Sequence, residues 1–182
     1  MMKKGRVILT KERFQLTIDR LCRQLIEQYD DFSDTCLVGI QTGGVSLSNR
    51  LQQRLSQMLD MPDITSGKLD ITFYRDDFRT ASKPLSAYPT EMNFLVEDKN
   101  VILVDDVLYT GRTVQAALTA LNHYGRPRRV DLVSMVDRRF NRELPIQSNY
   151  IGLAVDALDK AYVSVEWKEK QGEDKILIFE NK

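Results

Sequence analysis

Apolar residues recur along this chain in two rhythms. From Thr10 to about Tyr29 they fall at helical spacing, with Phe14, Ile18, Leu21, Cys22, Leu25, Ile26 and Tyr29 on one face and Thr10 placed to cap the first turn. A second helical period runs from about Val45 to Leu59 through Leu47, Leu51, Leu55, Met58 and Leu59. A third runs from Thr113 to about Tyr124, where Gly125 can cap it and Pro127 prevents continuation. Between the helices lie short apolar runs at 36–40, 101–104 and 129–136, with Tyr150-Ile151-Gly152 after the last. A strand apolar at successive positions leaves neither side for water, as in a parallel sheet covered on both faces. Residues 68–74 alternate instead, which predicts a strand with one solvated face. Residues 161–167 and 175–180 also alternate, and Gln171-Gly172-Glu173-Asp174 between them predicts a hairpin. The fold class expected is α/β, a mostly parallel sheet flanked by helices with a C-terminal β-hairpin, in one domain spanning 1–182.

The chemistry gathers where an apolar run meets a polar turn. Val101-Ile102-Leu103-Val104 leads into Asp105 and Asp106 and then, through Val107, Leu108 and Tyr109, into Thr110-Gly111-Arg112-Thr113, where a helix starts. The acids are expected just past the strand's carboxyl end, where open α/β sheets bind ligands, and the turn offers N–H groups at a helix N-terminus, which suits a phosphate. Two adjacent carboxylates repel a phosphate. They suit sugar hydroxyls, which donate hydrogen bonds, or a divalent cation accompanying a polyphosphate. A ribose carrying a phosphate meets both demands; the plainer reading is a strand end whose acids cap the next helix. Gln41-Thr42-Gly43-Gly44 repeats the order of strand, loop and helix, and paired glycines let backbone N–H groups approach an anion closely.

Composition narrows the classes. With 182 residues, 42% of them hydrophobic, the chain can bury a sizeable core. Its 26 basic and 26 acidic side chains cancel, so nucleic-acid binding must come from a local patch. The apolar run Val7-Ile8-Leu9 is too short for a signal peptide or a membrane span, and the expected location is the cytoplasm. Cys22 and Cys36 fall on apolar positions, as buried thiols rather than a disulfide or a metal pair. The single histidine, His123, sits in the last turn of a helix. Between 77 and 100 there is no clean period, and so long a loop in a small domain is usually functional or disordered.

The run from Asp105 to Thr113 resembles the phosphoribosyl pyrophosphate signature of type I phosphoribosyltransferases. Its Asp-Asp-Val-Leu-Tyr-Thr-Gly-Arg-Thr form is similar to that of the pyrimidine operon regulator/uracil phosphoribosyltransferase family, PyrR. Tyr74-Arg75-Asp76-Asp77 and Arg142-Glu143-Leu144-Pro145-Ile146 resemble the same family, in the same order along the chain. The resemblance implies a type I phosphoribosyltransferase fold with a flexible active-site loop at about 75–100 and a small hood at about 137–160. It implies transfer of ribosyl phosphate from phosphoribosyl pyrophosphate to uracil, giving UMP and pyrophosphate with Mg2+ as cofactor. Tyr109 stands where purine-using relatives usually carry a carboxylate, which points to a pyrimidine.

Residue roles follow from the same resemblance. Asp105 and Asp106 would take the ribose hydroxyls and stabilise charge on the sugar; Val107, Leu108, Tyr109, Thr110, Gly111, Arg112 and Thr113 would bind phosphoribosyl pyrophosphate, the last four holding its phosphate. Thr42, Gly43 and Gly44 would grip the pyrophosphate, with a non-proline cis peptide at Thr42 and Gly43; the family commonly shows an arginine at the position of Gly43. Val136, Asp137 and Arg138 would contact uracil, and magnesium would be held mainly through the ligand, with Asp105 and Asp106 as the protein's candidates. A second implied role is pyrimidine-responsive attenuation, with Arg20, Arg23, Arg138 and Arg142 on a pyrimidine-operon leader RNA. Asp19, Arg23 and Leu153 depart from the residues familiar regulators tend to have there. The alternative is a catalytically weak, UMP-sensing RNA-binding regulator. Self-association into a homo-oligomer is implied as well.

Overall fold

The apolar runs become the middle of a sheet closed to water on both sides. The computed structural model describes residues 5–61, 63–76, 87–157 and 161–179. In chain order these form β1 (Arg6–Leu9), α1 (Lys11–Tyr29), β2 (Thr35–Ile40), α2 (Gly43–Leu59), β3 (Ser66–Leu69), β4 (Asn100–Leu108), α3 (Arg112–Leu121), β5 (Arg129–Arg138), β6 (Tyr150–Val155), β7 (Tyr162–Glu166), the single-turn α4 (Lys168–Gln171) and β8 (Lys175–Phe179). Five strands pair in parallel in the order β3-β2-β4-β5-β6. Leu37, Ile102, Val104, Val133 and Met135 pack with the apolar faces of α1 and α2. Their strand neighbours Cys36, Val38, Val101, Leu103 and Leu132 pack with Val114, Ala117 and Leu121 of α3. Successive strand residues thus meet helices on opposite faces, which is why alternation vanishes from their sequence.

Helix α1 buries Phe14, Ile18, Leu21, Cys22, Leu25 and Tyr29 as expected, and Thr17 with them. The hairpin forms as β7 and β8, and β1 joins β8 to complete a three-stranded antiparallel sheet. Four residues are too few to show a period, so β1 was invisible in the sequence. Trp167 packs edge-on against Phe14, ring centroids 5.2 Å apart, and fastens this small sheet to α1. Both cysteines are free and buried, and burial pushes the Cys22 thiol up to about 12 and Cys36 up to about 11. His123 lies on a 3₁₀ turn after α3, its ring 5.6 Å from that of Tyr74. Among the described residues no helix is long and apolar enough to cross a membrane.

Three expectations change. The strand expected at 68–74 ends at Leu69; Thr72–Tyr74 is a 3₁₀ turn, and Asp70, Ile71 and Thr72 are all buried. The cause is local: the Asp70 carboxylate accepts the Thr72 hydroxyl at 2.8 Å, a closure that competes with the ladder. Of the loop expected at 75–100, residues 77–86, Asp77 included, lie outside the described residues, while the stretch after them is pinned. Glu91 exchanges both backbone hydrogen bonds with Lys68, at 3.0 and 2.8 Å, and Val96 is buried in the core. The hood expected at 137–160 divides differently too. Asp137 and Arg138 remain in the ladder of β5, paired with Ala154 and Val155, so β6 is a fifth strand of the main sheet. The accessory layer is the sheet β1-β8-β7, and residues 158–160 lie outside the described residues.

Helix α2 begins close against β4. A Cβ on Gly44 would stand 2.2 Å from the carbonyl oxygen of Val104, backbone that cannot swing aside. Gly44→Ala is expected to lower stability by about 1–3 kcal/mol in urea unfolding. An unchanged midpoint would show that the start of α2 shifts freely.

Candidate active site

Strand order places the site. From β2 the chain passes through α2 to β3 on one side; from β4 it passes through α3 to β5 on the other, with α2 and α3 on opposite faces. The loops after β2 and β4 therefore diverge, opening the crevice at the strands' carboxyl ends where such sheets bind ligands.

Strand β4 reaches further into this crevice than its apolar run suggested. Its ladder with β5 continues through Asp105 opposite Ser134, Val107 opposite Val136 and Leu108 opposite Asp137. The two acids are strand residues rather than loop residues, and neighbours along a strand point opposite ways. Asp105 is buried and lines a cavity of about 300 Å³ with Arg75, Asp76, Leu108 and the turn from Thr110 to Thr113. Asp106 is half-buried and lines another of about 600 Å³ with Thr42, Gly43, Arg138, Trp167 and Lys170. Val107 and Tyr109 line both cavities.

In the smaller cavity, Gly111 takes φ 94, a conformation few other residues adopt, and starts α3 with its first N–H groups unclaimed by the helix ladder. The run 142–146 clasps this turn. Glu143 and Leu144 donate their backbone N–H groups to the Thr110 carbonyl at 3.0 and 3.2 Å, and Arg142 donates to the Tyr109 carbonyl and to Asp137. The guanidinium of Arg112, expected on the phosphate, is instead shared between Glu143, at 2.5 Å, and Asp76. The Arg112 backbone N–H at the helix start donates to the Thr110 hydroxyl at 3.4 Å.

Around the larger cavity, the non-proline cis peptide is Gln41–Thr42, one residue earlier than expected. Helix α2 opens at Gly43, whose missing side chain leaves room for the Asp106 carboxylate: a Cβ there would stand 2.1 Å from its Oδ2. Ser164, Trp167, Lys170 and Gln171 reach this cavity from the small sheet and α4. The sequence carried no signal for them, because the alternation of β7 marks a strand without saying where it docks.

The two carboxyls are held above the ordinary range. Burial is the leading cause for both; for Asp105 the charge of Asp106 adds to it, while for Asp106 the N–H of Val107 and the charge of Lys170 oppose it. The Asp106 N–H donates to Asp105 Oδ1 at 3.0 Å. Among the described residues no group of three or more His, Cys, Asp or Glu is placed to hold a metal ion.

The residues expected to meet uracil separate. Val136 is wholly buried in the core and lines neither cavity. Asp137 is buried and paired with Arg142. Arg138, only 5% exposed, lays its guanidinium over the Tyr109 ring at 3.9 Å, and its Nε and Nη2 have no hydrogen-bond partner among the described residues. Two of the four arginines expected on RNA are engaged within the chain: the longer β5 turns the buried Arg138 into the crevice, and the half-buried Arg142 donates to Tyr109 and Asp137. Arg20 is exposed but donates to the carbonyls of Ile151 and Gly152 at 3.1 and 2.6 Å. Arg23 is exposed on the same helix, and Asp19 is paired with Arg54 at 2.6 Å.

The Phosphoribosyl transferase domain family matches residues 7–170, the span that holds the parallel sheet, the turn at 110–113 and the paired acids at the switch point, and this gives the class as phosphoribosyltransferase. Bifunctional protein PyrR of Syntrophobacter fumaroxidans is 43% identical over 174 residues, covering 96% of this chain and 92% of that protein. The bifunctional protein PyrR of Enterococcus faecalis is 42% identical over 161 residues, covering 88% and 89%. The chain belongs to the PyrR family. In fold it is also similar to a hypoxanthine phosphoribosyltransferase from Staphylococcus aureus, with TM-score 0.72 at 19% identity over 96% of this chain and 91% of that one. A Trypanosoma cruzi hypoxanthine phosphoribosyl transferase gives TM-score 0.75 at 15% identity over 99% and 93%.

The buried acids have a measurable consequence for the ligand-free protein. Unfolded, Asp105 ionises near its ordinary 3.8; folded, it keeps its proton to higher pH, so stability falls as pH rises from that value through the raised one. Asp105→Asn carries no charge at any pH and can still accept the Asp106 N–H. It is expected to melt above the parent at pH 7, by about 2–4 °C for each kcal/mol relieved. The gap should shrink toward pH 4, and a gap that does not move with pH would refute this account.

Proposed function

We propose that this chain transfers the phosphoribosyl group of phosphoribosyl pyrophosphate to uracil, giving UMP and pyrophosphate. The observation that carries this reading is the pair of cavities, each edged by the start of a helix, with Asp105 facing one and Asp106 the other. The 5-phosphate suits the turn from Thr110 to Thr113, and the pyrophosphate suits the loop at Thr42, Gly43 and Gly44. The ribose between them places its hydroxyls on Asp105 and Asp106.

No nucleophile is needed. As pyrophosphate departs, positive charge grows on the sugar, and the carboxylates beside it stabilise that charge. Uracil fits against Tyr109, where the two free donors of Arg138 meet a carbonyl oxygen; a guanidinium only donates, and one buried without acceptors is costly until a ligand supplies them. Magnesium fits as an ion carried mainly by the pyrophosphate, with the half-buried Asp106 carboxylate as a hard oxygen ligand. When bound it neutralises charge on the leaving group.

Magnesium-dependent pyrophosphate release should occur with uracil and not with orotate, hypoxanthine or adenine. Asp106→Asn is expected to reduce kcat by about a hundredfold or more, and Arg138→Met to raise the KM for uracil by about tenfold. Equal rates with all four bases would overturn the assignment.

A second reading has its own support: the relatives are named bifunctional, and α1 exposes Arg13 and Arg23 beside Arg20. We propose that this face binds a pyrimidine-operon leader RNA in response to UMP. Phosphate contacts release counterions, so Arg23→Gln should weaken binding and reduce its salt slope by about one contact. Binding that is equal for leader and unrelated RNA would remove this reading.

A further inference from the structure

The larger cavity poses an electrostatic problem. The loop after β2, Gln41-Thr42-Gly43-Gly44, has no charged side chain, and the Asp106 carboxylate stands where a side chain at 43 would go. One magnesium ion does not cancel a diphosphate and the Asp106 carboxylate together, so an anion of two phosphates leaves net negative charge there. Two described residues lining the cavity are cationic. One, Arg138, is buried and stacked on Tyr109. The other, Lys170, is exposed, makes no ion pair with a described residue, and acts on Asp106 through its charge.

The backbone that carries Lys170 is held in place: its N–H donates to the Trp167 carbonyl at 2.9 Å. Arg50 of α2 donates through Nε and Nη2 to both carboxylate oxygens of Glu169, at 2.8 and 2.9 Å, and through Nη2 to Asp174 at 3.0 Å. Asp174 accepts the Lys168 N–H at 2.7 Å, and Gln171 accepts the Trp167 N–H at 2.8 Å. Trp167 is buried against Phe14. The short helix is thus tied to α2, the helix that opens at Gly43, and Glu169 is occupied by Arg50 rather than by its neighbour Lys170.

We infer that Lys170 binds the diphosphate leaving group and that Arg50 is its positioning residue, acting through Glu169 and Asp174; the inference rests on the phosphoribosyl transfer proposed above. It concerns anions with two linked phosphates. Inorganic phosphate and UMP, which lack the second phosphate, do not call on Lys170.

The test uses the full chain with magnesium and compares the parent, Lys170→Ala, Lys170→Arg and Arg50→Met. Calorimetric titration with pyrophosphate alone and with UMP alone is set beside the KM values for phosphoribosyl pyrophosphate and uracil. Lys170→Ala should weaken pyrophosphate binding and raise the KM for phosphoribosyl pyrophosphate by roughly tenfold, leaving UMP affinity and the KM for uracil unchanged. Lys170→Arg should restore most of this. Arg50→Met should give the same selective loss; a lower melting temperature with unchanged pyrophosphate affinity would reduce Arg50 to a structural part. Pyrophosphate affinity unaffected in Lys170→Ala, or UMP binding lost with it, overturns the inference. Lys170-dependent pyrophosphate binding in a parent without uracil turnover would sustain the inference while overturning the proposed reaction.

Discussion

The pairing of β4 with β5 beyond the apolar run is the contact on which the site depends. Had β4 ended at Val104, both acids would hang in a loop, solvated and free to choose a side. The ladder continues instead through Asp105, Val107 and Leu108, and a strand leaves its residues no choice of face. One carboxyl is sent toward the turn at 110–113 and the other toward the loop at 41–44. The ladder of β5 with β6 carries β5 on to Arg138, opposite Val155, and its guanidinium lies over the Tyr109 ring. Two adjoining runs of backbone hydrogen bonds thus place the acids and the arginine.

This arrangement is unfavourable for the empty protein. Two adjacent acids are partly withdrawn from water, and an arginine is buried with two donors unused. Active sites commonly store such costs, because a ligand that supplies the missing partners recovers them on binding. The surroundings hold the arrangement through contacts outside the crevice: the clasp of 142–146 on Thr110 and Tyr109, and the apolar core on both faces of the sheet. The small antiparallel sheet supplies the remaining wall, fastened by Trp167 on Phe14 and by Arg50 on Glu169 and Asp174.

The first helix shows how one element serves two ends. Its apolar face completes the core, while Arg20 uses its guanidinium on the exposed carbonyls of β6. Asp19 on the same helix is neutralised by Arg54 of α2. A mixed stripe of charge along a helix is therefore not uniformly available to a partner: here part of it is already engaged within the chain.

What the sequence determined by itself was whatever depends on neighbours along the chain. The three long helices, the apolar strands, the parallel sheet implied by their lost alternation, the hairpin and the two turns able to hold anions are all local consequences of spacing and residue type. The run from Asp105 to Thr113 was legible for the same reason, since strand, acids, turn and helix start lie within thirteen residues. Tertiary structure decided what depends on distant pairing. Only strand pairing shows that the acids diverge and that Arg138 is buried, although its identity was plain. Only docking shows that Lys170 reaches the cavity beside Asp106, or that Arg112 is taken by Asp76 and Glu143. A side chain's chemistry is written at its own position; its partners are set by packing that brings together residues far apart in the chain.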